Sequence, residues 1–287
     1  MSVDTPRLIP HHASRRRNVT AAVGLTILGG WVLIALFGWL IRPFDPTDFI
    51  SYEMYAPEKG ALLGTDYMGR DLFSRLLSGT PVTLGMSFLA TLVSHLLGVS
   101  AGLTAAMRGG AVDMVLSRIV DVMLSLPNII VGLMVVAALG SSVSVLILTT
   151  GFVYSASVFR IARALANDVR SLDFVRAAQA RGEGTLWLSS GEILPNILKP
   201  LAADFALRLG FVLLFISSLS FLGLGVQPPL ADWGALVREN MSGLSSGKLA
   251  PVYPALAIAS VTIALNLLVD AWSDRSIGQG NARGAAK

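Results

Sequence analysis

The sequence has no cysteine, which excludes a disulfide framework and any Cys-ligated zinc or iron–sulfur site. It is also poor in charge. Asp, Glu, Lys and Arg make up 14% of its 287 residues, whereas soluble domains carry about 25%. A large buried core does not account for so few charges, because the surface around it would still need them. In their place stand apolar side chains, 53% of the total, with a mean hydropathy of +0.66. Much of the surface therefore faces lipid. The net charge of +4 and pI near 9.7 are compatible with nucleic acid. The basic residues, however, flank apolar runs instead of lining one face, which fits a membrane and argues against a nucleic-acid partner.

Six stretches, 19–41, 82–107, 114–139, 143–159, 201–226 and 252–272, come near the roughly 20 residues that cross a bilayer core. They are expected to be helices, since lipid offers backbone N–H and C=O groups no partner. Little more than Gly140-Ser141-Ser142 separates the third from the fourth, which predicts a tight helical hairpin. Pro127 is expected to kink the third, because it removes a backbone hydrogen bond. Arg15-Arg16-Arg17 before the first stretch resembles a signal peptide. The apolar run is longer than the ~7–15 residues of a signal core, and no small-x-small site precedes Arg42-Pro43, which predicts a retained helix.

Lysine and arginine set the orientation. The larger group, including Arg15 to Arg17, Arg108, Arg160, Arg163, Arg170, Arg176, Arg181, Lys199 and Arg275, falls on one side. Arg42, Lys59, Arg70, Arg75, Arg238 and Lys248 fall on the other. The positive-inside rule then places both termini in the cytoplasm, in agreement with an even number of spans.

The loops carry the more specific signals. In the external segment 42–79, Asp71 can open a short interfacial helix with Leu72, Leu76 and Leu77 on one face and Arg75 opposite. In the internal segment 166–199, Asp173 favours a helix start, and Gly182 can supply the left-handed residue that stops the helix after Arg181. Thr185 is expected to cap a second short helix that Pro195 limits. Ala177, Ala178 and Ala180 leave little side chain between this backbone and an approaching partner.

Ala178, Gly182 and Leu194-Pro195 together resemble the cytoplasmic "EAA" loop of ABC-importer permeases. A second likeness lies in Leu63-Gly64-Thr65-Asp66, Gly69-Arg70-Asp71 and Ser74-Arg75, similar to the start of the C-type permeases of dipeptide, oligopeptide and nickel importers. A third is Phe221-Leu222-Gly223-Leu224-Gly225 through Asp232-Trp233-Gly234, similar to the end of their fifth helix. Together the likenesses cover nearly the whole chain. They imply an all-α integral membrane protein, a six-helix bundle of the type I ABC-importer permease kind in the bacterial inner membrane.

By that resemblance, 1–18 is a cytoplasmic tail, 19–274 the permease domain with an external loop at 227–251, and 275–287 a second cytoplasmic tail. The implied function is a pore subunit of an ATP-driven importer for peptides or peptide-like solutes. It implies a second homologous permease, two ABC ATPase subunits and an extracytoplasmic solute-binding protein, with lipid around the whole. No cofactor, metal or catalytic residue is expected in this chain, and ATP and Mg would be bound by the ATPases. The ATPase-coupling residues would be Ala177, Ala178, Gly182, Glu183, Glu192, Leu194 and Pro195. Asp66, Gly69, Arg70, Asp71 and Arg75 are candidates for an external gate or docking surface. His95, Asn128 and Asn266, polar groups within apolar stretches, are candidates for the solute path.

Two closely spaced charge pairs, Arg118 with Asp121 and Asp204 with Arg208, are expected to screen themselves at helix ends. Gly247-Lys248 departs from a phosphate loop in spacing and in Leu249. An ion-coupled carrier is a rival reading, but it calls for ionisable residues at the membrane midplane. A membrane hydrolase using Ser245 of Gly243-Leu244-Ser245-Ser246-Gly247 is another. It needs a strand–turn–helix setting and a nearby base, and the histidines are His11, His12 and His95.

Overall fold

The computed structural model describes residues 11–57 and 59–284, with side chains from 19 to 272. Among these the secondary structure is helical apart from two isolated β-bridges, Phe49 with Arg70 and Thr65 with Asp71. Residues 1–10 and 285–287 of the expected tails lie outside the description, while 11–18 and 275–284 extend the first and last helices.

The long elements are α1 (His11–Ile41), α2 (Leu72–Arg108), α5 (Val143–Arg170), the helical run Thr185–Leu224, broken near its end at Gly223 (φ 94°), and α11 (Val252–Gly284). Each holds a stretch apolar enough to cross a membrane. A sixth span would come from α3 (Gly110–Ser125) and α4 (Asn128–Leu139), which meet at 88°. The kink expected at Pro127 is thus a break. The proline pushes Leu126 into extended backbone (φ −92°, ψ 139°) and cannot donate into the preceding turn. The α4–α5 hairpin forms as expected, with Gly140 left-handed (φ 87°) and Ser142 capping α5 through Val145 N at 3.2 Å.

The expected separate helix at 72–77 is instead the first part of α2, which runs on through Pro81. Asp71 caps it, its carboxylate accepting from Ser74 N at 2.8 Å. Two tertiary contacts hold this stretch. Trp233 donates Nε1 to Leu76 O at 3.2 Å, and its backbone N to Thr83 Oγ1 at 3.0 Å.

Packing follows from small residues. A Cβ at Gly98 would lie 2.7 Å from Ser155 O, and one at Gly102 would lie 2.9 Å from Ala162 Cβ. These two glycines, four apart on α2, let α5 approach as closely as backbones allow. Near the 72 end, Trp233 is fully buried among Leu76, Leu213, Leu236 and Val261. Trp31 of α1 meets it edge-on at 4.8 Å and donates to Ser260 of α11 at 2.8 Å. Outward faces of α1, α3 and α4 carry exposed Leu33, Leu36, Phe37, Ile119, Ile130 and Met134, as a lipid or partner contact requires.

Candidate functional site

The two sequence-marked regions sit at opposite ends of α2. Leu72 N bonds Gly64 O at one end, and Arg170 donates to Ala106 O at the other. At 1.5 Å per residue, the 37 residues of α2 separate them by about 55 Å.

At the 108 end, α6 (Asp173–Ala180) stops as its sequence suggests. Gly182 N bonds Gln179 O at 2.9 Å and Glu183 N bonds Ala178 O at 3.3 Å, with Gly182 at φ +83°. This is a Schellman stop, and no atom lies within 4 Å of where a Gly182 Cβ would be. Two expectations are corrected here. Thr185 is not the cap but the first residue of α7 (Thr185–Trp187), because Gly184 holds the cap place without a side-chain bond. Nor does Pro195 end a short helix. Residues Leu188–Ile193 wind as a π-helix, so Leu194 N reaches back five residues to Ser189 O. The widened turn absorbs the proline ring and its missing donor, and α8 (Leu194–Leu219) continues from it. Asn196 Nδ2 donates to Glu192 O at 2.6 Å across this turn.

The alanines divide. Ala178 is fully buried with Val175, Leu188, Ile193 and Ile197, joined by Ala166 of α5 and Ala106 of α2, and half-buried Leu194 packs on this cluster. Ala177, Ala180 and Gly182 face outward. So Ala178 is small because helices press on it, and it lies beneath the surface expected of it. The outward surface adds Leu172, Phe174, Trp187 and Leu186, the last 87% exposed.

At the 72 end, residues 42–57 and 59–71 fold into a lobe centred on Asp66, which is fully buried. Its Oδ1 accepts from Met68 N at 2.8 Å and Arg70 N at 2.9 Å. Its Oδ2 takes Arg70 Nε at 2.9 Å and an Arg75 guanidinium nitrogen at 2.6 Å. The same Arg75 nitrogen lies 2.8 Å from Glu239. Arg75 is therefore not opposite the apolar face; it is buried with Leu72, Leu76 and Leu77. Gly69 (φ +79°) lets Ile50 N and Ser51 N bond its carbonyl at 2.9 and 3.1 Å, and a Cβ there would sit 2.0 Å from Ser51 O. The five candidates Asp66, Gly69, Arg70, Asp71 and Arg75 thus come together as a locked core of the lobe.

Sequence reasoning missed the partners that close the lobe. Glu239 ends α9 (Trp233–Glu239), and Asn240 accepts from Tyr67 N at 3.1 Å. Asp232 caps α9 through Ala235 N at 3.0 Å. Burial pushes its carboxyl above the usual range, and nearby Glu239 adds to that, against the N–H groups of Ala235 and Gly234 and the Ser220 hydroxyl. A lone carboxylate at the head of a short apolar helix was the available signal.

The three path candidates fall in different settings. His95 of α2 is buried, with Nε2 3.2 Å from Asp204 Oδ2. Arg208 grips both oxygens of Asp204 at 2.7 and 3.1 Å, as their spacing suggests. Asn128 lines a cavity of about 720 Å³ with Tyr154, Phe211, Ser217 and Phe221. Asn266 is exposed on α11. Arg118 and Asp121 do not form the expected pair: Asp121 bonds Arg160 of α5 at 2.8 Å, while Arg163 grips Asp113. Ser245 closes the short helix α10 (Ser242–Ser245), beside the Tyr55 ring that Gly243 packs against. That is not the strand–turn–helix setting a nucleophile elbow needs.

Residues 96–276 match the family described as the binding-protein-dependent transport system inner membrane component. The chain belongs to this family. It is 32% identical over 263 residues to the glutathione transport system permease protein GsiD of Pectobacterium atrosepticum, covering 90% of this chain and 86% of the relative. Against the dipeptide transport system permease protein DppC of Haemophilus influenzae it is 31% identical over 266 residues, covering 90% of each. The DppC of Alkalihalophilus pseudofirmus is 31% identical over 260 residues, covering 90% and 86%. The chain is thus an all-helical permease component of a solute transport system, a membrane-spanning part and not itself the catalyst. Its family's systems imply ATPase and binding-protein partners.

Proposed function

We propose that this permease imports a peptide or a peptide-like solute, driven by two ATPase subunits that dock on the turn region around Gly182. A second, homologous permease would complete the path, and a solute-binding protein would deliver to the end that carries the 42–71 lobe. Both termini and the turn region would then be cytoplasmic, with ATP and Mg held by the partners.

The single observation that carries the coupling role is the shape of the turn region. Leu172, Phe174, Leu186 and Trp187 are exposed around an open glycine turn, while Ala178 beneath them is packed into the bundle. An exposed apolar patch of this kind marks a protein contact. It also leads through the π-turn into α8, so a push on the turn is carried along that helix. ATP-driven closure of the ATPases would move the turn and open the permease pair toward the binding protein, and hydrolysis would reverse this. The relatives' names supply the solute class.

The test is purification from the native membrane followed by reconstitution with whatever co-purifies. Recovery of ATPases and a second permease, with ATP hydrolysis stimulated by di- or tripeptides, is the expected result. Gly182→Trp should abolish stimulation while the complex still assembles. Solute uptake without ATP, or stimulation unchanged by Gly182→Trp, overturns the reading.

A further inference from the structure

The buried polar cluster of His95, Asp204 and Arg208 is not used by the turn region or the lobe. It lies ten residues beyond Leu194 on α8, about 15 Å from the π-turn at 1.5 Å per residue. It also caps the apolar cluster of the turn region. Val99, one helical turn from His95, and Leu201, one turn before Asp204, both pack into that cluster. Buried ionisable groups on helices that can span a membrane are costly and mark function by default.

The geometry resolves which contact does what. Arg208 and Asp204 are neighbours on one helix, so their bidentate pair by itself joins nothing. His95 comes from α2, and its Nε2 stands 3.2 Å from Asp204 Oδ2, so the intrahelical pair also touches a second helix. The imidazole is held from both sides. Its Nδ1 lies 3.0 Å from Thr91 O, and its ring tilts over Phe205 at 4.9 Å. Beside this contact an apolar groove of about 490 Å³ opens, lined by Leu96, Leu103, Leu198 and Phe205, while on either side of it α2 and α8 share apolar clusters, Leu103 with Leu201 in one and Ala90 with Val212 in the other. Those apolar contacts are non-directional, so a polar contact at one fixed position is what singles out one register.

We propose that His95, Asp204 and Arg208 form a clamp that fixes α2 to α8, so both helices follow the turn region as one body during transport. These are positioning residues. The proposal rests on the coupling role of the turn region, and the test separates the two.

The absence of cysteine makes the measurement direct, since Leu96→Cys and Leu198→Cys place a spin-label pair across the groove. In the assembled transporter in lipid, the distance distribution between these labels is expected to be the same without nucleotide and with ATP trapped. A shift between those two states overturns the clamp. Asp204→Asn and His95→Leu should broaden the distribution and lower solute moved per ATP by about tenfold. His95→Gln, whose amide N–H can still reach the carboxylate, should restore both. If Asp204→Asn does not assemble, the label pair in the native cluster and the two His95 variants decide. A His95→Leu protein with native distances and native transport per ATP also overturns it. Coupling lost in Gly182→Trp but intact in His95→Leu rejects the clamp alone, whereas coupling intact in Gly182→Trp rejects the reading on which it rests.

Discussion

Gly69 and Gly182 have nearly the same positive φ, +79° and +83°, yet their surroundings are opposite. A side chain at Gly69 would strike Ser51 O at 2.0 Å, whereas one at Gly182 would meet nothing within 4 Å. The first belongs to a lobe closed on itself, with a buried carboxylate shared by two arginines. The second belongs to a turn left open, with apolar side chains around it. A left-handed glycine thus reports a chain reversal, and the space beside it tells whether that reversal is finished within the chain or awaits a partner.

The contrast can be broken most forcefully at Asp66. Asp66→Ala leaves Arg70 and Arg75 to share Glu239 and unpairs the N–H groups of Met68 and Arg70, so a destabilisation of about 3 kcal/mol is expected, read as a drop in melting temperature in detergent. Gly69→Ala comes next. It combines left-handed strain of about 1–2 kcal/mol with a clash of similar size, and the same melt should show it. Gly182→Ala carries the strain alone, so its loss should be nearer 1 kcal/mol. Equal losses at the two glycines would show the turn region to be as closed as the lobe.

The Asp232 carboxyl, held above its usual range by burial, gives a smaller effect with a defined sign. The folded chain keeps this proton to higher pH than the unfolded chain, whose pKa is about 3.9. Stability from this group is therefore full below that pH and lost as pH rises through the raised value. Asp232→Asn should flatten that fall, measured by melts across pH. The smallest stability effect should be at Leu186, exposed in the open turn. Leu186→Ser is expected to stay within about 0.5 kcal/mol in the melt while lowering solute-stimulated ATP hydrolysis.

What was legible in the sequence was what a few neighbouring residues decide. Apolar runs of bilayer length set the spans, Asp71 capped the helix that follows it, and Gly182 stopped α6, because each acts within about four residues of itself. The Asp204–Arg208 pair was readable for the same reason. Tertiary structure decided the rest. It gave Asp121 to Arg160 in place of Arg118 and brought Glu239 to Arg75 across 164 positions. It also carried the helix past Pro195 through a widened turn, and set Ala178 inward while its neighbour Ala177 faces out. A charge in a low-dielectric interior takes whichever partner packing delivers, and a small residue turns toward whichever helix presses closest. Neither choice is written in the spacing of residues along one chain segment.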